Sequence, residues 1–445
     1  MISGRWVWVL PTLLVGCRVV SMPAPAPTPA LAALPAASAS PAPVSDRSIE
    51  ARPVEVAETT LSVDEVRALW VVRFTMTSEQ SVRDLVATAA RNGINTLIVQ
   101  VRGRADAFYA SEIEPRGESV QEPAPFDPLA LVIREAHAND IAVHAWVNTH
   151  LVWGPAALPE SPEHIVNAHP DWLAVPRTLG REMAGVDPFD SRFVESLVQF
   201  ARDNSSTVEG VYTSPSHPAV QDRVHAVWLD LVARYDLDGV HFDYIRFPSA
   251  QYDYSLGALE RFRRWSRTRL PAGRWSDLAE AYGRDLYAFA DGEPELWAAF
   301  RREHVSRLVR RIHRDVKAAN PQITISAAVI ADVEEAENER FQEWPTWLAD
   351  GTIDVAVPMA YTSDSARFQA LIRSARAAAG QPDRIWAGIG IYMNTLEGTL
   401  GMIDIARDEE TGGFALFSYD WAVGDGRGEP EYPLLRRISE GRFGR

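Results

Sequence analysis

A single cysteine, Cys17, occurs among 445 residues, so no disulfide can form within the chain. Lysine is nearly absent as well. Lys317 is the one lysine among 44 basic residues, an arginine bias that we read as base composition without functional weight. Acidic residues outnumber basic ones, and the formal net charge of −16 disfavours nucleic acid or an anionic membrane face as the main partner. Signatures of several enzyme classes are missing. "GIGIY" at 388–392 lacks the GxGxxG spacing of a dinucleotide turn. No serine sits in a GxSxG elbow. There is no HExxH and no close histidine pair, so neither a cofactor nor a metal site is expected. A composition 46% hydrophobic and 23% charged is nevertheless that of a globular protein.

The apolar run from Trp6 to Val15 follows Arg5 and is too short to span a bilayer as a permanent anchor. It reads as a signal peptide over 1–16. "LVGC" resembles a bacterial lipobox, whose cysteine becomes the lipid-modified first residue. Cys17 is therefore the expected lipidation site. Arg18 stands where an Asp would signal inner-membrane retention, which points to the outer membrane. Residues 17–61 contain the Pro/Ala/Ser-rich stretch 22–44 and read as a disordered tether, with a reach on the order of 100 Å. The expected location is the bacterial cell envelope, lipid-anchored, on the outer membrane and facing the periplasm or cell surface.

From 62 to 445 the pattern alternates. Strand-like runs fall at 68–74, 95–101, 141–148, 239–245, 323–329, 354–361, 385–392 and 413–419, with helical patterns such as 78–93, 128–140, 219–236 and 295–320 between them. Eight strands with seven helical or long connections predict an α/β fold, a (β/α)8 TIM barrel. A doubly wound open sheet competes, but no glycine-rich turn follows the first strand. The connections after strands three and four are long, about 149–218 and 249–295. In a barrel both would lie at the face that carries active sites.

Side chains alternate along a strand. One face of "NTLIVQVRGR" carries Ile98, Gln100 and Arg102; one face of "IAVHAWVN" carries His144, Trp146 and Asn148; one face of "GVHFDYI" carries His241 and Asp243. The polar groups crowd the strand ends, which puts Asp243 on the floor of a pocket. Arg246, just beyond it, is either the partner of a structural carboxylate or a pocket residue.

The segments "RALWVVRF", "GINTLIVQVRGRADAFYASEIEP", "FDPLALVIREAHANDIAVHAWVN", "HPDWL" and "RYDLDGVHFDYIRFP" resemble the glycosyl hydrolase-like family 10 over roughly 65–425. The resemblance implies a secreted or lipid-anchored bacterial (β/α)8 barrel acting on polysaccharide, with peptidoglycan glycan as leading candidate. The chain departs from the family pattern at about 190–215 and 250–295, where substrate would bind. Glycoside cleavage typically needs two carboxyl groups. Asp243 is expected to be one; for the other Asp332, after strand five, is preferred, with Asp106 and Glu114 after strand two, Asp364 after strand six and Asp420 at the end of strand eight as alternatives. Gln100, Arg102, His144, Asn148, Trp153, His241, Arg246, Tyr361, Tyr392 and Trp421 are the candidate substrate-binding residues, the aromatics among them as sugar platforms. Two rivals remain open: a non-catalytic carbohydrate-binding barrel, and a metal-dependent hydrolase or deacetylase on the same fold.

If Cys17 carries the anchor, Cys17→Ser should move the protein from the membrane pellet to the soluble fraction on cell fractionation. A variant that stays with the membranes would overturn the anchor.

Overall fold

Strands buried on both faces set the architecture. The second, "TLIVQVR", is buried at all seven positions, as expected of a parallel sheet covered by helices. The computed structural model describes residues 65–154, 157–424 and 434–443. The signal segment, Cys17 and the tether lie outside the described residues.

Eight strands build the main sheet: β1 (Val66–Val71), β2 (Thr96–Arg102), β3 (Ala142–Asn148), β4 (Gly239–Asp243), β5 (Thr324–Val329), β6 (Val355–Pro358), β7 (Trp386–Gly390) and β8 (Gly413–Phe417). They form one sheet in the order β6-β5-β4-β3-β2-β1-β8-β7, with every pairing parallel. Parallel bridges Ala356↔Ile385 and Met359↔Gly388 join the two end strands and close the barrel. Helices α1 (Glu79–Arg91), α2 (Pro128–His137), α3 (Pro218–Arg234), α4 (Pro294–Ala319), α5 (Trp344–Ala349), α6 (Ser365–Ala379), α7 (Leu396–Asp408) and α8 (Leu434–Arg442) follow the strands in turn. This is the expected (β/α)8 barrel.

Local sequence explains the elements. In α1, Ser78 caps the helix by accepting the Ser81 N–H, and Ser81 reciprocates. Val82, Leu85, Val86 and Ala89 repeat at helical spacing and are buried. The outward strand residues, among them Leu69, Val99, Val143 and Phe242, pack against the helices in the large core. The inward ones form a separate plug of Trp70, Ile98, Trp146, Ala328, Val357 and Trp386. The barrel interior is therefore filled, and polar strand ends are displaced to its mouth.

The two long connections build satellite cores. Residues 149–217 carry Trp153, Ile165, Phe193 and Leu197 in one. Residues 244–293 supply Tyr254, Phe262, Tyr287 and Phe289, which join Trp297 and Phe300 of α4 in the other. The aromatic-rich segment thus spends its rings on its own packing.

Arg102 departs from strict alternation. Gln100 pairs with Trp146, but Arg102 pairs with Val147, a register shift that leaves Val101 as an extra residue. Such a bulge re-aims the following side chain. Arg102 shares the direction of Val147, away from the pocket. It ion-pairs with Glu114 at 3.1 Å, both side chains being essentially fully buried, and donates to the Asn148 carbonyl. This corrects its placement among the substrate-binding residues: it locks the β2 loop to the end of β3.

Glu114→Ala would leave the Arg102 guanidinium buried without its carboxylate. The expected loss is about 3–5 kcal/mol of folding stability, read by urea or thermal unfolding. A loss below about 1 kcal/mol would show that the loop is held by other contacts.

Candidate active site

A cavity of about 540 Å³ opens at the C-terminal end of the barrel strands, lined by residues from β1 to β6, β8 and the loops beyond them. Trp70, Trp146 and Ala328, from the plug, form its apolar floor. Gln100, Asn148, Asp243, Glu209, Arg246 and Tyr244 supply polar groups, and Arg73, Arg104, Phe74, Tyr361 and Phe417 complete its wall.

Asp243 is the last residue of β4 and lies beside Asn148 in the sheet register. Its side chain is buried. Oδ2 accepts the indole N–H of Trp146 at 3.0 Å, a donor shared with Asn148 Oδ1 at 2.8 Å. Oδ1 accepts the Tyr244 backbone N–H at 2.6 Å. That geometry depends on Tyr244 adopting φ +49°, a left-handed conformation that costs a bulky residue about 1–3 kcal/mol. The conformation also brings the Tyr244 carbonyl to the His150 N–H. Burial raises the Asp243 carboxyl to about 6, and the charge of Arg246 and the two donors only partly offset it.

The second carboxylate in the pocket is Glu209, from the insert that precedes α3. Its Oε1 meets Arg246 at 2.7 Å, and its Oε2 accepts the Tyr212 hydroxyl at 2.6 Å. Partial burial opposes its ionisation, but Arg246 and Tyr212 prevail and hold it below the usual carboxylate range. Over a third of its side chain remains exposed. Arg246 itself is buried and stacked 4.8 Å over the Tyr244 ring. The pocket therefore holds one carboxyl biased toward keeping its proton and one biased toward losing it, the division of labour that acid–base chemistry requires.

Asp332 does not share this pocket, which corrects its pairing with Asp243. It caps the helix Val333–Asn338, accepting the Glu335 N–H at 3.0 Å, and lines a separate cavity with Glu334, Glu337 and Arg367. The β5 strand ends at Val329, and the three residues after it carry Asp332 out over the helix layer. His144 and His241 lie within the barrel rather than in the pocket lining. His144 packs against Gly239, where a Cβ would come within 2.4 Å of its ring, and near Trp386. His241 accepts the Trp70 indole at 3.2 Å and bonds Ser326 at 2.9 Å. Trp153 is buried in the insert core, donating to Ala157. Gln100, Asn148, Arg246 and Tyr361 line the pocket. Tyr392 and Trp421 stand at its edge, 39% and 41% exposed and 6.1 Å apart, with Tyr392 6.0 Å from Tyr361.

Glu209, Arg73, Arg104 and the 59%-exposed Phe74 were not candidates from sequence. Glu209 lies in a connection without strand periodicity, and only its juxtaposition with Arg246 marks it. Arg73 and Phe74 come just beyond the end of β1, a strand-end signal available in the sequence. Among the described residues no three His, Cys, Asp or Glu side chains gather as metal ligands.

Residues 65–395 match the family described as glycosyl hydrolase-like 10. The chain is 25% identical over 334 residues to glycosyl hydrolase YngK of Bacillus subtilis, an alignment covering 67% of this chain and 54% of that protein. It is 25% identical over 346 residues to glycosyl hydrolase DigH of Escherichia coli, covering 71% of this chain and 66% of DigH. The chain thus spans between about half and two thirds of these relatives. Among solved structures, the glycoside hydrolase domain of PgaB (BpsB) from Bordetella bronchiseptica superposes with a TM-score of 0.57 at 13% identity, over 82% of this chain and 97% of that one, which shows a shared fold.

The raised Asp243 carboxyl makes a stability prediction. Its folded form holds the proton up to about pH 6, whereas the unfolded chain releases it near pH 4. Between these values the native state binds more protons, so wild-type stability falls as pH rises through the window. Asp243→Asn lacks this titration. Measured by urea unfolding, the variant's stability relative to wild type should improve by on the order of 2–3 kcal/mol between pH 4 and 7. Any hydrogen bond lost to the amide is a constant offset that cancels. A pH-independent difference would mean that Asp243 is ordinarily acidic.

Proposed function

The chain belongs to the glycosyl hydrolase-like 10 family, and on that premise we propose that it is an extracytoplasmic glycoside hydrolase acting on polysaccharide, with the glycan strands of peptidoglycan as substrate. The observation that carries the proposal is the presence in one cavity of a buried Asp243, raised to about 6, and an Arg246-held Glu209, lowered from its ordinary value. Asp243 donates its proton to the glycosidic oxygen as the bond from that oxygen to the anomeric carbon breaks. Glu209 either bonds to that carbon or takes a proton from the water that does. Water supplies the hydroxyl left on the anomeric carbon. In the direct route its second proton passes through Glu209; in the covalent route Asp243 takes it back as water releases the sugar.

The pocket wall supports a sugar ligand. Phe74, Tyr392 and Trp421 follow the neighbouring strands β1, β7 and β8 and are exposed, Phe74 in the wall of the cavity; aromatic rings are surfaces on which the apolar side of a pyranose packs well. Thr75 and Asp420 tie the β1 and β8 loops together by a 3.0 Å hydrogen bond. A lipid anchor at Cys17 with the long 17–61 tether would let such a domain reach cell-wall polymer while remaining attached to the outer membrane.

The test is incubation of the protein with purified sacculi and with glycan strands freed of stem peptides, followed by mass analysis of released fragments. Asp243→Asn and Glu209→Gln should each lower turnover by about 10²–10⁴-fold while the protein stays folded. The profile of kcat/KM should be bell-shaped. On the alkaline side it declines with a midpoint near 6 as Asp243 loses its proton. On the acid side it declines as Glu209 gains one, below the ordinary carboxylate range. Binding of glycan without cleavage, unchanged in both variants, would favour the non-catalytic carbohydrate-binding barrel instead.

A further inference from the structure

Two pocket arginines have no role in the carboxylate pair. Arg73 follows β1 and Arg104 follows β2, and both line the cavity. Among the described residues neither lies within ion-pairing distance of a carboxylate, unlike Arg102 with Glu114 or Arg246 with Glu209. The guanidinium acting on both Asp243 and Glu209 is that of Arg246. Asp106 is the acidic neighbour of Arg73 and Arg104, but its carboxylate accepts the Arg104 backbone N–H at 2.7 Å and reaches neither side chain.

Both side chains are seated deliberately by the backbone. A Cβ on Gly103 would fall 2.4 Å from Cδ of Arg73, and one on Gly154 would fall 2.7 Å from Cζ of Arg104. Each arginine thus occupies room that only a glycine leaves. Arg73 is buried, donates to Gln100 Oε1 at 3.2 Å, and stacks its guanidinium 4.4 Å from the exposed Phe74 ring. Arg104 is followed by Ala105 at φ +56°, and Asn148 secures the same turn through the Gly103 carbonyl at 2.7 Å. Burial lowers both guanidinium groups, and at Arg73 the nearby charge of Arg104 adds to it, bringing Arg73 to about 10; Asp106 opposes the shift at each without cancelling it. Two buried guanidinium groups with no carboxylate in ion-pairing reach favour an anion brought by the ligand.

We infer that Arg73 and Arg104 form a clamp for a carboxylate carried by the sugar bound in the cavity, so that the enzyme selects acidic over neutral glycan, with Phe74 receiving the face of the ring. This inference rests on the glycoside hydrolase reading and names its substrate class. Planar guanidinium groups suit a carboxylate because two N–H donors match its two oxygens. An acid attached to the ring by an ether and a uronic acid share this chemistry, and the test separates them.

The experiment compares kcat/KM for peptide-free peptidoglycan strands with that for the same strands after their carboxyls are converted to amides. A second arm makes the same comparison with polyuronate oligosaccharides. Wild type should prefer the acid form of one polymer by about tenfold or more, the size of a charge-assisted contact. The polymer showing the preference identifies the acid. In Arg104→Gln or Arg73→Gln that acid-to-amide ratio should fall toward one, and the ratio is insensitive to general damage, which affects both forms alike. Equal cleavage of acid and amide by wild type, or a preference retained in both variants, would overturn the clamp. Should no polymer be cleaved, the hydrolase reading fails. The clamp is then judged by equilibrium binding of the same strands: about tenfold tighter binding of the acid form supports it, and equal binding removes it.

Discussion

The guanidinium of Arg246 meets Glu209 at 2.7 Å, and the charge states of the pocket depend on that contact. Glu209 lies at the edge of the cavity, where water and Arg246 both favour its anion. Asp243 lies deeper. Arg246 also attracts it, but burial outweighs that attraction and the proton stays on to about pH 6. One cation thereby draws both carboxyls down, against unequal burial. It does so across elements distant in sequence, since Glu209 belongs to the insert before α3 and Arg246 to the turn after β4. The strained φ of Tyr244 is what turns the chain between Asp243 and Arg246, so that the carboxylate faces the floor while the guanidinium crosses to the rim.

The tryptophans divide between packing and placement. Trp70, Trp146 and Trp386 fill the barrel interior and raise the pocket floor to the level of the strand ends. Trp146 does both jobs, since its indole N–H holds Asp243 and Asn148 together. A filled barrel is a physical requirement of eight parallel strands around a dry interior. Chemistry at the mouth follows from it, because a polar side chain one pleat lower must be satisfied internally. His241 is an example, held between Trp70 and Ser326.

The fold was legible in the sequence because its signals are local. Alternating strand and helix periods, capping residues such as Ser78 and the unequal connections are all read within a few residues of one another. Asp243, Asn148 and Gln100 were legible for the same reason: period-two alternation gives the facing of each strand, and neighbouring strands are neighbours in chain order. Alternation failed at Arg102, where a one-residue bulge turned the side chain outward, and nothing in "QVRGR" announces that shift. It also failed for Asp332, because strand order predicts proximity only up to the last strand residue and not for a side chain three residues beyond.

By itself the sequence determined the eight-stranded barrel, the placement of Asp243 at a strand end, and the two long connections over the active face, since each follows from periodicity that the backbone enforces. It also contained the motifs that align with a glycosyl hydrolase-like family. Tertiary structure alone decided the partner of Asp243, the charge on each carboxyl, and the role of each arginine. Those depend on burial and on distances between residues tens to hundreds of positions apart. A pKa is set by the local dielectric and the nearest charges in space, and neither quantity is a property of any stretch of chain.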